Sequence, residues 1–192
     1  MKKRVVITGS NGLLGQTLVN LLLEESNSYE VTGFSKGPNR SKRNDFKYVS
    51  VDITDQKSLE TQLKLIRPHF IVNTAAMTNV DACESNRDAC FALNVSAVAY
   101  LTEISKSIGA HLIHLSTDFI FDGIQGNYKE TDAANPLSYY GETKLLSEEI
   151  LNNSTIDFTI LRTILVYGLT ADMSRSNIVL WVKESLEQHR EI

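Results

Sequence analysis

Short runs of Val, Ile, Leu and Phe recur along the chain and alternate with longer stretches in which apolar residues return every third or fourth position. The short runs predict strands over Arg4–Thr8, Glu30–Phe34, Phe46–Val51, Phe70–Asn73, His111–Ser116 and Phe158–Arg162. The longer ones predict helices over Gly12–Glu25, Gln56–Arg67, Arg87–Ile108, Ser138–Leu151 and Ser176–Glu187, with Pro68 and Gly109 as stop signals. Strands that alternate with helices need crossover connections. The expected fold is therefore α/β, a doubly wound parallel sheet with helices on both faces. Gly37–Lys42 and Gly123–Pro136 are the two long loops, where binding and catalytic groups concentrate.

With 192 residues, 42% of them hydrophobic, the chain can bury one sizeable core, and length points to one domain with an appendage. Nineteen basic against 23 acidic residues leave a net charge of −4, which supplies no positive field for nucleic acid or an anionic membrane. Behind the basic start Met1–Arg4, the apolar stretch ends by Thr8, too soon for a signal peptide, and no run of about 18 apolar residues is present to span a bilayer. The expected location is cytoplasmic. Cys83 and Cys90 would share a helical face; two buried thiols are the leading reading, a disulfide or metal site the lesser one.

One junction narrows the function. In VVITGSNGLLGQTLVNLL, Val5–Leu22, glycines stand at 9, 12 and 15 between the first strand and the first helix. Gly9 would allow the turn, Gly12 the close approach of a pyrophosphate, and Gly15 tight packing of helix on sheet, while Asn11, Leu13 and Leu14 fill the turn. This is a Rossmann-type dinucleotide site, although G-x-x-G-x-x-G leaves one more residue in the turn than G-x-G-x-x-G. At the end of the second strand a carboxylate would select NAD, and basic residues would accept the extra phosphate of NADP. Ser35, Lys36 and Arg40 stand there, so NADP(H) is the preferred cofactor, with NAD(H) as the alternative.

A second constellation carries chemistry. Tyr140 and Lys144 lie one helical turn apart on one face. A neighbouring ammonium, with a bound cofactor's charge, is expected to lower the phenol's pKa and make Tyr140 a usable proton donor. Thr117, just past the fifth strand, would polarise the same carbonyl oxygen. Tyr139 is the rival tyrosine but has Thr143, not a lysine, four residues on. His111 and His114 read as core or edge residues, and Asp81 and Glu84 as first-turn helix charges; no metal site is expected.

Further stretches follow in order: NTAAMTNVDACE (Asn73–Glu84), LIHLSTDFIFDG (Leu112–Gly123), NPLSYYGETKLLSEE (Asn135–Glu149) and ILRTILVYG (Ile160–Gly168). Together with the glycine turn they resemble the extended short-chain dehydrogenases/reductases, in the dTDP-4-dehydrorhamnose reductase branch. The resemblance implies an NAD(P)-dependent oxidoreductase acting on a nucleotide-linked 4-keto sugar, with Thr117, Tyr140 and Lys144 catalytic. It also implies Asp52 and Ile53 beside the adenine, Ala75 and Ala76 along the cofactor, and Asn94 on the helix behind it. On the substrate side it implies Thr78, Asp118, Phe119, Asn177 and Trp181. Residues 1–170 would form the cofactor-binding domain and 171–192 the start of a substrate lobe that stops short of the family's usual length. The chain is accordingly expected to bind NADPH yet reduce its substrate poorly or not at all, and to expose apolar surface that favours self-association, a homodimer included. Alternatives are a nucleotide-sugar epimerase or dehydratase, and a non-catalytic NADP-binding subunit, since the same branch includes proteins that serve a partner enzyme.

Overall fold

Parallel strands bury both faces, so their apolar residues must be covered from two sides. The computed structural model of the chain, which describes residues 1–171 and 177–190, shows how this is done. Its strands are β1 (Lys3–Thr8), β2 (Tyr29–Ser35), β3 (Lys47–Ser50), β4 (Phe70–Asn73), β5 (His111–Thr117) and β6 (Phe158–Thr163). Its helices are α1 (Leu13–Glu24), α2 (Gln56–Ile66), α3 (Val80–Ser85), α4 (Arg87–Phe91), α5 (Ala97–Ile108), α6 (Tyr139–Asn152) and α7 (Ile178–Glu187). The strands form one parallel sheet in the order β3-β2-β1-β4-β5-β6, with Val5 level with Val31 on one side and Phe70 on the other.

The period-two alternation of a strand separates the two faces. Val6, Phe34, Ile71 and Leu112 pack with Leu59 and Leu63 of α2 and Val98, Leu101 and Ile104 of α5. Val5, Ile7, Val31 and Val72 pack on the opposite face with Val19 of α1. Each such side chain, fully withdrawn from water, contributes about 1.5–3 kcal/mol of transfer free energy. Asp55 caps α2 by accepting from Ser58 N at 3.1 Å, and Arg67 closes it in the left-handed region.

Two expectations are corrected. The helix expected over residues 87–108 is three pieces: α4, a π-helical turn at Ala92–Ser96, and α5. Val80–Ser85, not among the expected helices, forms a separate one that carries Asp81 in its first turn as expected, Glu84 lying further on; Asn79 caps it, its Oδ1 accepting from Ala82 N at 2.7 Å. The last helix begins at Ile178; Ser176, where it was expected to start, lies outside the described residues. No helix among the described residues is long and apolar enough to cross a membrane.

Candidate active site

Chain order reverses between β1 and β4, and the crevice beyond the C-terminal ends of these strands is where open α/β sheets bind ligands. Gly9 follows β1 with φ +67°, and a Cβ there would lie 2.8 Å from Ala75 N. A Cβ on Gly15 would stand 2.3 Å from the Gly9 carbonyl oxygen, so only glycine lets α1 approach the turn this closely. Gly12 begins α1 with no side-chain cap, which leaves the amides of Leu13, Leu14 and Gly15 for an external anion. This cradle fits a diphosphate in both shape and sign.

Asn11 ties the cradle to the basic loop. Its backbone N donates to Ser35 Oγ at 3.0 Å, its Nδ2 donates to the Pro38 carbonyl at 2.8 Å and to Tyr48 Oη at 3.1 Å, and its Oδ1 accepts from Arg40 N at 2.9 Å. Lys36, mostly exposed, pairs with Asp52 at 3.0 Å. Asp52 also accepts from Thr54 Oγ1 at 2.7 Å and Thr54 N at 3.0 Å; chiefly the hydroxyl bond, then the Thr54 amide and Lys36, hold its carboxyl below the usual value. Ile53 is a buried member of the main core. Ala75 and Ala76 are half-buried beyond β4.

The second half of the site is assembled by α6. Ser138 caps this helix through Gly141 N at 3.1 Å. Gly141 lets it lie against the 3-10 turn Asp118–Ile120, because a Cβ there would meet the Phe119 carbonyl oxygen at 2.3 Å. Tyr140 is thereby brought to Thr117 at the end of β5, with the Phe119 ring edge-on at 5.7 Å. Burial raises the phenol's pKa, and the Thr117 hydroxyl works against that rise. In the cofactor-free chain the expected lowering by Lys144 is not seen, and the lysine is engaged elsewhere. Lys144 Nζ donates to the Leu115 carbonyl at 2.6 Å and lies 3.1 Å from His114 Nε2. Burial lowers the Lys144 pKa to about 8, with Glu148 and Cys90 pulling the other way. Tyr139 instead lies beneath the Arg87 guanidinium, 4.5 Å from its ring centre.

Asn94 sits on the π-helical turn, and its amide is engaged within the protein. It accepts from Met77 N at 2.8 Å and donates to the Met77 carbonyl at 3.0 Å and to Thr143 Oγ1 at 3.1 Å, joining the chain after β4 to α6. Cys83 and Cys90 are buried free thiols beside Tyr140, and burial pushes Cys83 up to about 12. No cluster of metal-ligating side chains occurs among the described residues.

A cavity of about 700 Å³ opens beyond Asp118 and Phe119, lined also by Phe121, Asp122, Tyr128 and Arg162. Arg162 Nε and Nη2 grip buried Glu148 at 3.0 and 2.7 Å. Asp122 is drawn down to about 2, first by the Tyr128 hydroxyl and then by Asn135. Thr78, Asn177 and Trp181 do not line this cavity: Thr78 is exposed, Asn177 caps α7 and donates to the Gly168 carbonyl at 2.8 Å, and Trp181 is 46% exposed. Sequence reasoning missed Gly141, Arg162, Glu148 and the partners of Lys144. Only the serial position of His114, on the strand leading to Thr117, could have pointed to one of them.

Residues 2–192 match the family described as RmlD substrate binding domain. A dTDP-4-dehydrorhamnose reductase from Aggregatibacter actinomycetemcomitans is 35% identical over 166 residues, covering 86% of this chain and 52% of the relative. Methionine adenosyltransferase 2 subunit beta from Bos taurus is 33% identical over 178 residues, covering 93% and 51%. The chain thus spans about half the length of the curated relatives it matches. Among solved structures, the dTDP-4-dehydrorhamnose reductase of Bacillus anthracis in complex with NADP aligns with TM-score 0.84 and 29% identity, over all of this chain and 62% of that one.

Proposed function

The chain belongs to the RmlD substrate-binding-domain family, and from that premise we propose that it seats NADP(H) on the glycine turn and reduces a nucleotide-linked 4-keto-6-deoxy sugar. The observation that carries this reading is the approach of Tyr140 to Thr117 where β5 ends against α6, with Lys144 buried one turn further along that helix. The reductase relatives and the NADP-bound neighbour support it. Gly9, Gly12 and Gly15 would hold NADP(H), which would supply the hydride that the carbonyl carbon takes up. Tyr140 would pass its phenolic proton to the carbonyl oxygen, so that C=O becomes CH–OH. Thr117 donates a hydrogen bond to the same oxygen as its charge develops. The cavity beyond Phe119 is the sugar-nucleotide side, with Arg162 at its wall.

A second reading has its own support. Relatives with 33% identity carry the name of an adenosyltransferase subunit, which fits a chain that binds the cofactor for a partner enzyme. One experiment separates the two: NADPH absorbance followed with a dTDP-4-keto-6-deoxy sugar, the protein in excess so that slow turnover is still read. Hydride consumption is expected, falling at least about a hundredfold in Tyr140→Phe with NADPH affinity unchanged. NADPH binding without consumption would contradict reduction by this chain and leave the subunit reading standing. Retained turnover in Tyr140→Phe, with Tyr139→Phe inactive, would assign the proton to the other tyrosine.

A further inference from the structure

Behind Lys144 lies a run of buried polar groups that the proton transfer from Tyr140 does not use. Thr8 Oγ1 donates to Asn73 Oδ1 at 2.5 Å, and Asn73 Nδ2 lies 3.1 Å from His114 Nδ1. His114 Nε2 lies 2.9 Å from Ser147 Oγ, which donates to the Lys144 carbonyl at 2.6 Å. Thr8, Asn73, His114, Ser147 and Lys144 are each at most 2% exposed, so every donor must find its acceptor inside the protein.

The directions are fixed from both ends. Thr8 takes the Asn73 oxygen, so the amide N–H faces Nδ1, which must present its lone pair. A neutral imidazole then carries its proton on Nε2. The Ser147 hydroxyl proton goes to the Lys144 carbonyl, which leaves the serine oxygen to accept from that Nε2–H. Lys144 Nζ stands 3.1 Å from the same Nε2 while donating to the Leu115 carbonyl. An ammonium in this position sets one N–H against another; a neutral amine offers its lone pair instead.

We propose that His114, locked as the Nε2–H tautomer by Thr8 and Asn73, is a positioning residue that holds Lys144 and weakens its grip on its third proton. The use of that effect in catalysis rests on the reductase reading; the lock itself does not. Burial and the neighbouring Lys144 keep His114 uncharged well below its ordinary value, so the lock does not open near neutral pH. The other groups facing Lys144 oppose the effect: Glu148 on α6, itself paired with Arg162 of β6, and Cys90 on α4 both favour the ammonium.

NMR of the cofactor-free chain, labelled with 15N-histidine and 13C-lysine, tests the lock. His114, assigned by its loss in His114→Asn, is expected to show a protonated Nε2 and a bare Nδ1, unchanged between about pH 5.5 and 9. Lys144 is expected to titrate near 8. Asn73→Asp places an acceptor opposite Nδ1 and turns the imidazole proton round, so the Lys144 midpoint should rise by about 1–3 pH units. Ser147→Ala removes the competing acceptor and should move the midpoint down. A proton on Nδ1 in the unmodified chain, a His114 that gains charge in this range, or a Lys144 midpoint unmoved in both variants overturns the proposal. The unmodified chain's tautomer decides the matter even if a variant fails to fold. These signatures without any sugar-nucleotide turnover would remove the reductase reading and leave the lock standing.

Discussion

Lys144 shows what burial does to a charge. Its ammonium is withdrawn from water among His114, the Leu115 carbonyl and the helix that carries it, and its pKa falls from an ordinary 10.5 to about 8. Between these two values the unfolded chain binds a proton that the folded chain does not. Stability from this group therefore rises with pH across that window, and the burden of the buried ammonium is present in full below it. Relative to Lys144→Met, the chain should gain on the order of 3 kcal/mol between about pH 7.5 and 10.5. Urea unfolding midpoints at the two ends of this range give the difference; a gap between wild type and variant that does not change with pH would contradict it. The spacing of Tyr140 and Lys144 was legible in the sequence, but the direction of the tyrosine shift was not. A side chain four residues on shares a face, yet where its Nζ finds an acceptor is decided by β5, which no local pattern reports.

At the scale of elements, α6 and the π-helical turn hold the site together. Gly141 allows α6 to rest on the turn after β5, and a methyl group there would meet the Phe119 carbonyl oxygen at 2.3 Å. Gly141→Ala should destabilise the fold by about 1–3 kcal/mol through forced backbone shifts and separate Tyr140 from Thr117. Thermal unfolding together with the NADPH assay checks both parts; a stable, fully active variant would show that the close approach is dispensable. Asn94→Ala strips the Met77 amide and carbonyl of their partner, and about 1–3 kcal/mol of stability should go with it. Denaturant midpoints read that loss, and an unchanged midpoint would deny Asn94 its bracing role. Strands and most helices were readable because short Val, Ile and Phe runs and 3.6-residue periodicity survive packing. The break of the expected 87–108 helix was not, because apolar positions continue through Ala92–Ser96 and the partners that Asn94 finds on this turn, Met77 and Thr143, lie far from it in the sequence.

Across the whole molecule, the strand order sets a glycine cradle and a tyrosine–lysine helix at the same end of one parallel sheet. The cradle was legible because three glycines between a strand and a helix have few other uses, and the structure shows two of them with no room for a Cβ. The clamp that Asn11 places on the loop carrying Arg40 was not legible, since its partners lie up to 37 residues away. That clamp fixes the basic loop relative to the cradle, and in the proposed reading Lys36, exposed beside Asp52, would meet the added phosphate there.

Fluorescence titration of the chain with NADPH and with NADH tests the cofactor seat most directly. NADPH should bind at least about tenfold tighter, the scale of one charge-assisted contact. That preference should shrink as salt is raised, because Lys36 is exposed, and disappear in Lys36→Glu. Equal affinities, NADH ahead of NADPH, or a preference indifferent to both salt and Lys36→Glu would contradict the proposed NADP(H) site.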